Sequence, residues 1–191
     1  MKKIYIFSML LIMGLITNIQ AAPITLTFED LPQVYLQLLP SDYAGLTWEN
    51  HWAAWYQEDP SKGFFPTSSG NFGIYLHDPK TGWIDFGHEV TFFGSWVASS
   101  VDVGQEYYWE GYKNGLKIYE SNHLAGGEKD WITVNWSGVD YVNFVSLNAD
   151  VPRYIIDDIK YSSTSPIPEP STYLLFFGLV AILMFKEKLY S

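Results

Sequence analysis

Through most of this chain, apolar or aromatic residues alternate with polar ones in short runs, and glycine, asparagine, aspartate and proline separate the runs. Ile24, Leu26 and Phe28 alternate with Thr25 and Thr27, and Ile132, Val134 and Trp136 alternate with Thr133 and Asn135. A period of two sends successive side chains to opposite faces, which a strand does and a helix does not. Further strand runs are expected at 72–76, 83–86, 90–98, 107–113, 116–120, 130–136, 141–147 and 154–161. Asn114-Gly115 sits between two of them, and both residues tolerate the positive φ of a type I′ hairpin turn. No long segment outside the two ends carries a period of 3.6. About nine short strands with turn signals between them predict an all-β chain, folded as an antiparallel, jelly-roll-like β-sandwich.

One stretch leaves its local structure open. Trp48, Trp52 and Trp55 lie four and three residues apart, which fits a helical face, while the glycine and asparagine around them fit an ordered loop with short strand pieces. Residues 57–71, with Pro60, Gly63, Pro66 and Gly70, read as loop.

Composition narrows the function. Aromatic residues make up 18% of the chain and charged residues 17%, a mix that suits half-buried strands and excludes disorder. The net charge is -10, and because Lys2, Lys3, Lys186 and Lys188 lie at the termini, the middle of the chain is more acidic still. That field repels nucleic acid and anionic headgroups and attracts cations such as calcium. There is no cysteine, which removes disulfides, zinc–thiolate sites and cysteine nucleophiles together.

The two ends are of a different kind. Residues 1–22 carry Lys2-Lys3, an apolar run and a small-residue pair, Ala21-Ala22, the layout of a secretory signal peptide. An uncleaved anchor is the alternative, but the run is shorter than the roughly 20 residues a spanning helix needs. Residues 23–161 form the expected sandwich domain, and 162–170 a Ser/Thr/Pro linker. Residues 168–191 begin with Pro168, Glu169 and Pro170, continue into an uncharged run expected to be a hydrophobic helix, and close on Lys186, Glu187 and Lys188.

Pro168, Glu169, Pro170, Ser171 and Thr172, followed by that apolar run and a charged terminus, resemble the PEP-CTERM sorting signal of Gram-negative bacteria. The resemblance implies export through the general secretory route and transient anchoring in the inner membrane. It also implies an exosortase that reads and cuts the motif, and delivery to the cell surface or the extracellular polysaccharide matrix. The chain departs from the family in having only two terminal lysines and an apolar run of about 13 residues. The stretches around Phe28, Tyr43, Trp109 and Ile156 are similar to the jelly-roll domains that precede this signal, which resemble carbohydrate-binding modules.

Two constellations could carry chemistry. Glu29 and Asp30 end the first strand and Asp157 and Asp158 lie in the last, so neighbouring terminal strands would gather four carboxylates, a candidate calcium set. Alternation would otherwise send these side chains to opposite faces. Trp52, Trp55 and Tyr56, in a region expected to be loop, are the candidate sugar-stacking residues, with Tyr107, Tyr108 and Trp109 as further aromatics divided between core and surface. The histidines His51, His77, His88 and His123 show no metal-ligand spacing, and no nucleophile elbow, zinc motif or phosphate loop is present. The sequence therefore points to a non-enzymatic exported protein associated with exopolysaccharide. A calcium-stabilised, lectin-like module is the alternative and a glycan hydrolase the remote one.

Overall fold

The computed structural model describes residues 21–33, 37–57, 66–76, 81–99, 105–147 and 154–163. Ala22–Thr164 forms one compact unit. The signal segment, the motif Pro168 to Thr172 and the apolar run after it lie outside the described residues.

Ten strands make up this unit: β1 (Ile24–Leu26), β2 (Thr47–Trp48), β3 (Trp52–Tyr56), β4 (Phe72–Leu76), β5 (Thr81–Ser99), β6 (Glu106–Lys113), β7 (Leu116–Glu120), β8 (Leu124–Ala125), β9 (Lys129–Leu147) and β10 (Tyr154–Ser163). A 3-10 turn at Tyr43–Gly45 is the only helical piece among the described residues. Every pairing is antiparallel, in the order β3-β4-β10-β5-β9-β6-β7, with β1 on β10, β2 on β5 and β8 on β6. The all-β antiparallel expectation holds, and the first and last strands are neighbours.

Two pairs of expected strands turn out to be single strands. Residues 83–86 and 90–98 both belong to β5, and 130–136 and 141–147 both belong to β9, each of 19 residues. A straight strand of that length would reach about 60 Å, far more than a domain of this size can hold. Both strands fold over instead. Their pairing shifts register between Asp85 and Val90, between Val90 and Thr91, and between Phe92 and Gly94. Positive φ at Gly87, Asn135 and Gly138 marks the bends. Gly87 and Gly138 fall between expected strand runs and Asn135 inside one, yet all three bend the ladder without ending it.

Contacts in the core show the result. Trp109 lies opposite Phe144 and Phe92 lies opposite Trp136. Phe144 and Trp136 would stand about 26 Å apart on a straight strand, yet the Phe92 and Trp109 rings meet at 5.2 Å. The halves of β5 and β9 thus face each other as two layers with aromatic rings between them, which accords with the jelly-roll-like sandwich expected from the sequence. One layer is β3, β4, β10, β1 and the facing parts of β5 and β9. The other is β2, the first part of β5, the last part of β9, β6, β7 and β8. Tyr107 and Tyr154 also meet between the layers, at 5.1 Å.

Of the two readings of the tryptophan stretch, short strand pieces hold and the helical face does not, since β2 and β3 are joined by a turn at 49–51, and burial corrects one candidate sugar contact. Trp52 is completely buried. Its indole packs edge-on against Trp48 at 5.9 Å and donates to the Trp83 carbonyl at 3.1 Å, so it has no face to offer a ligand. Trp55 and Tyr56, further along β3, are half-buried. The Asn114-Gly115 turn has φ of 50 and 77, as a type I′ turn requires.

Candidate functional site

The polar residues that the fold collects lie on the outer face of β5, β9, β6 and β7. Along β6 the alternation separates two sets. Tyr107 and Trp109 point into the core, while Glu106, Tyr108, Glu110 and Tyr112 point out. Register then sets their neighbours: Glu120, Glu110, Asn143 and Trp83 stand side by side on β7, β6, β9 and β5. Lys117, Tyr112, Tyr141 and Asp85 form the adjoining row.

Glu110 is the centre. Its residue is only 8% exposed, and it accepts from Lys117 Nζ at 2.9 Å, Tyr112 Oη at 2.8 Å and Asn143 Nδ2 at 3.1 Å. Burial pushes its carboxyl up, but the hydrogen bonds from Lys117, Tyr112 and Asn143 outweigh burial and hold it below the usual carboxylate range. Lys117 also reaches Glu120 Oε2 at 2.9 Å, and the two carboxylates raise its ammonium. The Tyr112 phenol is pushed up to about 12 by burial and by its bond to Glu110.

Rings flank this network. Tyr112 and Tyr141 stack at 4.4 Å with planes 10° apart, and Tyr108 stacks on His123 at 4.2 Å. His123 Nδ1 lies 2.6 Å from Glu106 Oε2 and Nε2 lies 3.6 Å from Glu120 Oε1, which extends the polar chain across the face. Trp83, 38% exposed, supplies an apolar surface at the other end of the Glu110 row. Fixed acceptors, an ammonium, an amide and phenols beside an indole suit the hydroxyls and C–H faces of a sugar. A carboxylate held ionised by a lysine is a poor general acid. Of these residues only Tyr108 figured among the sequence candidates.

The four expected metal carboxylates all accept hydrogen bonds from the chain. Glu29 accepts from the backbone N–H groups of Asn71 and Phe72, at 3.1 and 3.0 Å. Asp157 Oδ2 accepts from Ser68 and Ser69 N–H at 2.8 and 2.9 Å, and its Oδ1 from Asp158 N–H at 2.7 Å. Asp158 Oδ1 accepts from the Ser69 hydroxyl at 2.9 Å, while Asp30 accepts from the Tyr43 phenol at 2.5 Å. Glu29, Asp157 and Asp158 therefore hold the 67–72 segment to the sheet, and Gly70, at φ +49, lets it turn there. Among the described residues no three acidic or histidine side chains are grouped as a metal ion requires. Asp157 is completely buried, and burial pushes its carboxyl up to about 7 despite the three N–H bonds, with Asp158 adding to the rise. Its oxygens are sealed from any substrate.

No protein-family model matches the chain, and no curated protein matches it. Among the solved structures similar to it are the following three. One is the K2 cleaved adhesin domain of Lys-gingipain (Kgp), at 16% identity and TM-score 0.44, covering 73% of this chain and 99% of that one. A second is TmCBM61 in complex with beta-1,4-galactotriose, at 10% identity and TM-score 0.35, covering 61% and 85%. The third is the N-terminal CBM22-1-CBM22-2 tandem domain from Paenibacillus barcinonensis Xyn10C, at 10% identity and TM-score 0.43, covering 79% of this chain and 48% of that one. At these identities and scores the functional reading rests on the residues of the chain itself.

Proposed function

We propose that this chain is an exported, non-enzymatic carbohydrate-binding protein of the bacterial surface or its polysaccharide matrix, and that it binds neutral glycan on the outer face of β5, β9, β6 and β7. The observation that supports the binding face is the Glu110 network. A nearly buried carboxylate with three side-chain donors fixes Lys117, Tyr112 and Asn143 in place beside Trp83. Such preorganisation lowers the ordering cost of recognising a weakly binding sugar. Glycan-array binding of the full chain tests it. Trp83→Ala and Asn143→Ala are each expected to weaken binding at least tenfold, while Trp55→Ala leaves it unchanged; the reverse pattern would return the site to β3.

The delivery part of the reading is supported by the sequence alone. Pro168, Glu169 and Pro170 would be read by an exosortase while the apolar run after them sits in the inner membrane. Mass spectrometry of the mature protein from cells is expected to find a C-terminus near Pro170. An intact Ser191 would make the protein membrane-anchored instead.

A further inference from the structure

The opposite outer face, formed by β1, β10, β5 and the first part of β9, takes no part in the site above. Two tryptophans stand directly across from each other there, Trp96 on β5 and Trp131 on β9, and Trp131 is 39% exposed. The adjoining row runs Thr25, Lys160, Gly94 and Thr133 across four strands. Thr25 and Thr133 are exposed. Lys160 extends its ammonium over the half-buried Phe93 ring, 5.9 Å from the centroid. Among the described residues Lys113 and Lys117 each sit on carboxylates, whereas Lys160 has a ring and no carboxylate for a partner.

The charge around this lysine is specific. Asp157 lies in the Trp96 row but is sealed beneath Ser68 and Ser69, and Asp158 is turned to the Ser69 hydroxyl. An unneutralised cation on the surface of a chain of net charge -10 is the natural seat for an anionic ligand group. The indoles beside it offer stacking faces for a pyranose ring, and the threonine hydroxyls offer donors to its oxygens. We infer that this face is a second carbohydrate site, one that takes a uronate of an acidic polysaccharide, its carboxylate on Lys160 and its ring against Trp96 and Trp131. The site is independent of the neutral-glycan face and would stand if that reading failed.

A long polyanion is repelled by the chain as a whole, so the useful probe is short. At 0.15 M salt the screening length is about 8 Å, which mutes distant carboxylates while a contact ion pair persists. Titration of the full chain with trigalacturonate and with its methyl ester tests the proposal. The acid is expected to bind and the ester to bind at least tenfold more weakly. Lys160→Met, which keeps the packing on Phe93, and Trp131→Ala should each lower affinity for the acid at least tenfold. Both should leave neutral-glycan binding and the melting temperature as they were, and Lys160→Arg should restore the acid's affinity. Equal binding of acid and ester, or full affinity in Lys160→Met, would overturn the inference.

Discussion

On the face of β6, β7 and β9, Glu110 meets an ammonium, a phenol and an amide. On the face of β10, Asp157 meets three backbone N–H groups and the neighbouring Asp158. Both residues are buried, both accept three hydrogen bonds, and their carboxyls move in opposite directions. At Asp157 complete burial and the like charge of Asp158 outweigh three N–H bonds, whereas at Glu110 hydrogen bonds that include a lysine ammonium outweigh burial. The first arrangement keeps a charged, ordered surface facing solvent. The second keeps a carboxyl that is half-protonated near neutrality and uses it to hold a segment of chain. The first suits recognition and the second suits architecture.

Asp157 gives the largest expected effect. Its folded value, about 7, lies above its ordinary value of 3.8, so the folded chain holds a proton that the unfolded chain has lost. Stability contributed this way is complete below about pH 4 and falls as pH rises to about 7, by at most on the order of 4 kcal/mol. Asp157→Asn removes the titration but turns one accepting oxygen into an amide donor and so loses one of the three N–H bonds, about 1 kcal/mol. Urea unfolding should therefore find the variant less stable than wild type near pH 3.5, where the wild-type contribution is nearly complete, and more stable at pH 8. Parallel curves for the two proteins would mean that Asp157 titrates normally, and the contrast with Glu110 would dissolve.

Glu110 should show the opposite sign and a smaller size. Its folded value is lowered, so its contribution is present above the ordinary carboxylate value and is lost as pH falls through the folded one. Glu110→Gln keeps the shape but weakens the bond to Lys117, at a cost of about 1–2 kcal/mol at pH 7. The cost should shrink as pH falls through the folded value, where wild type is protonated too. A cost independent of pH would show that packing, not charge, accounts for it.

How much of this was legible in the sequence follows from what a period of two can and cannot say. The runs at 72–76 and 116–120 coincide with β4 and β7, and Asn114-Gly115 makes the turn expected of it. Gly87 and Gly138 carry the same local signal, yet they bend strands, because only long-range pairing decides whether a left-handed residue ends a ladder or folds it. On β6 the sequence shows two alternating sets, Tyr107 and Trp109 against Tyr108 and Tyr112. Both are aromatic, so composition could not say which faced inward. Glu110 marks the outer set, but its worth depends on Lys117 and Asn143 arriving from other strands. Trp52 misled for the same reason, since flanking glycine and asparagine suggested a loop where cross-strand pairing with Leu76 makes a core strand.

Removing divalent cations should do least. Calcium takes six to eight oxygen ligands, and carboxylates supply them only while their oxygens are free. Glu29 and Asp157 spend theirs on N–H groups of the 67–72 segment, and Asp30 and Asp158 accept hydroxyl protons from Tyr43 and Ser69. A chelator is therefore expected to move the melting temperature by less than about 2 °C, a fraction of a kcal/mol in a domain of this size. A fall of several degrees, reversed by adding calcium, would require the 67–72 segment to release those carboxylates to the metal. Asp157 would then be ionised beside a cation, as Glu110 is beside Lys117, and its stability would rise with pH where it is now expected to fall. Repeating the pH series with and without chelator thus decides whether the two buried carboxylates differ by design of the fold or only for want of an ion.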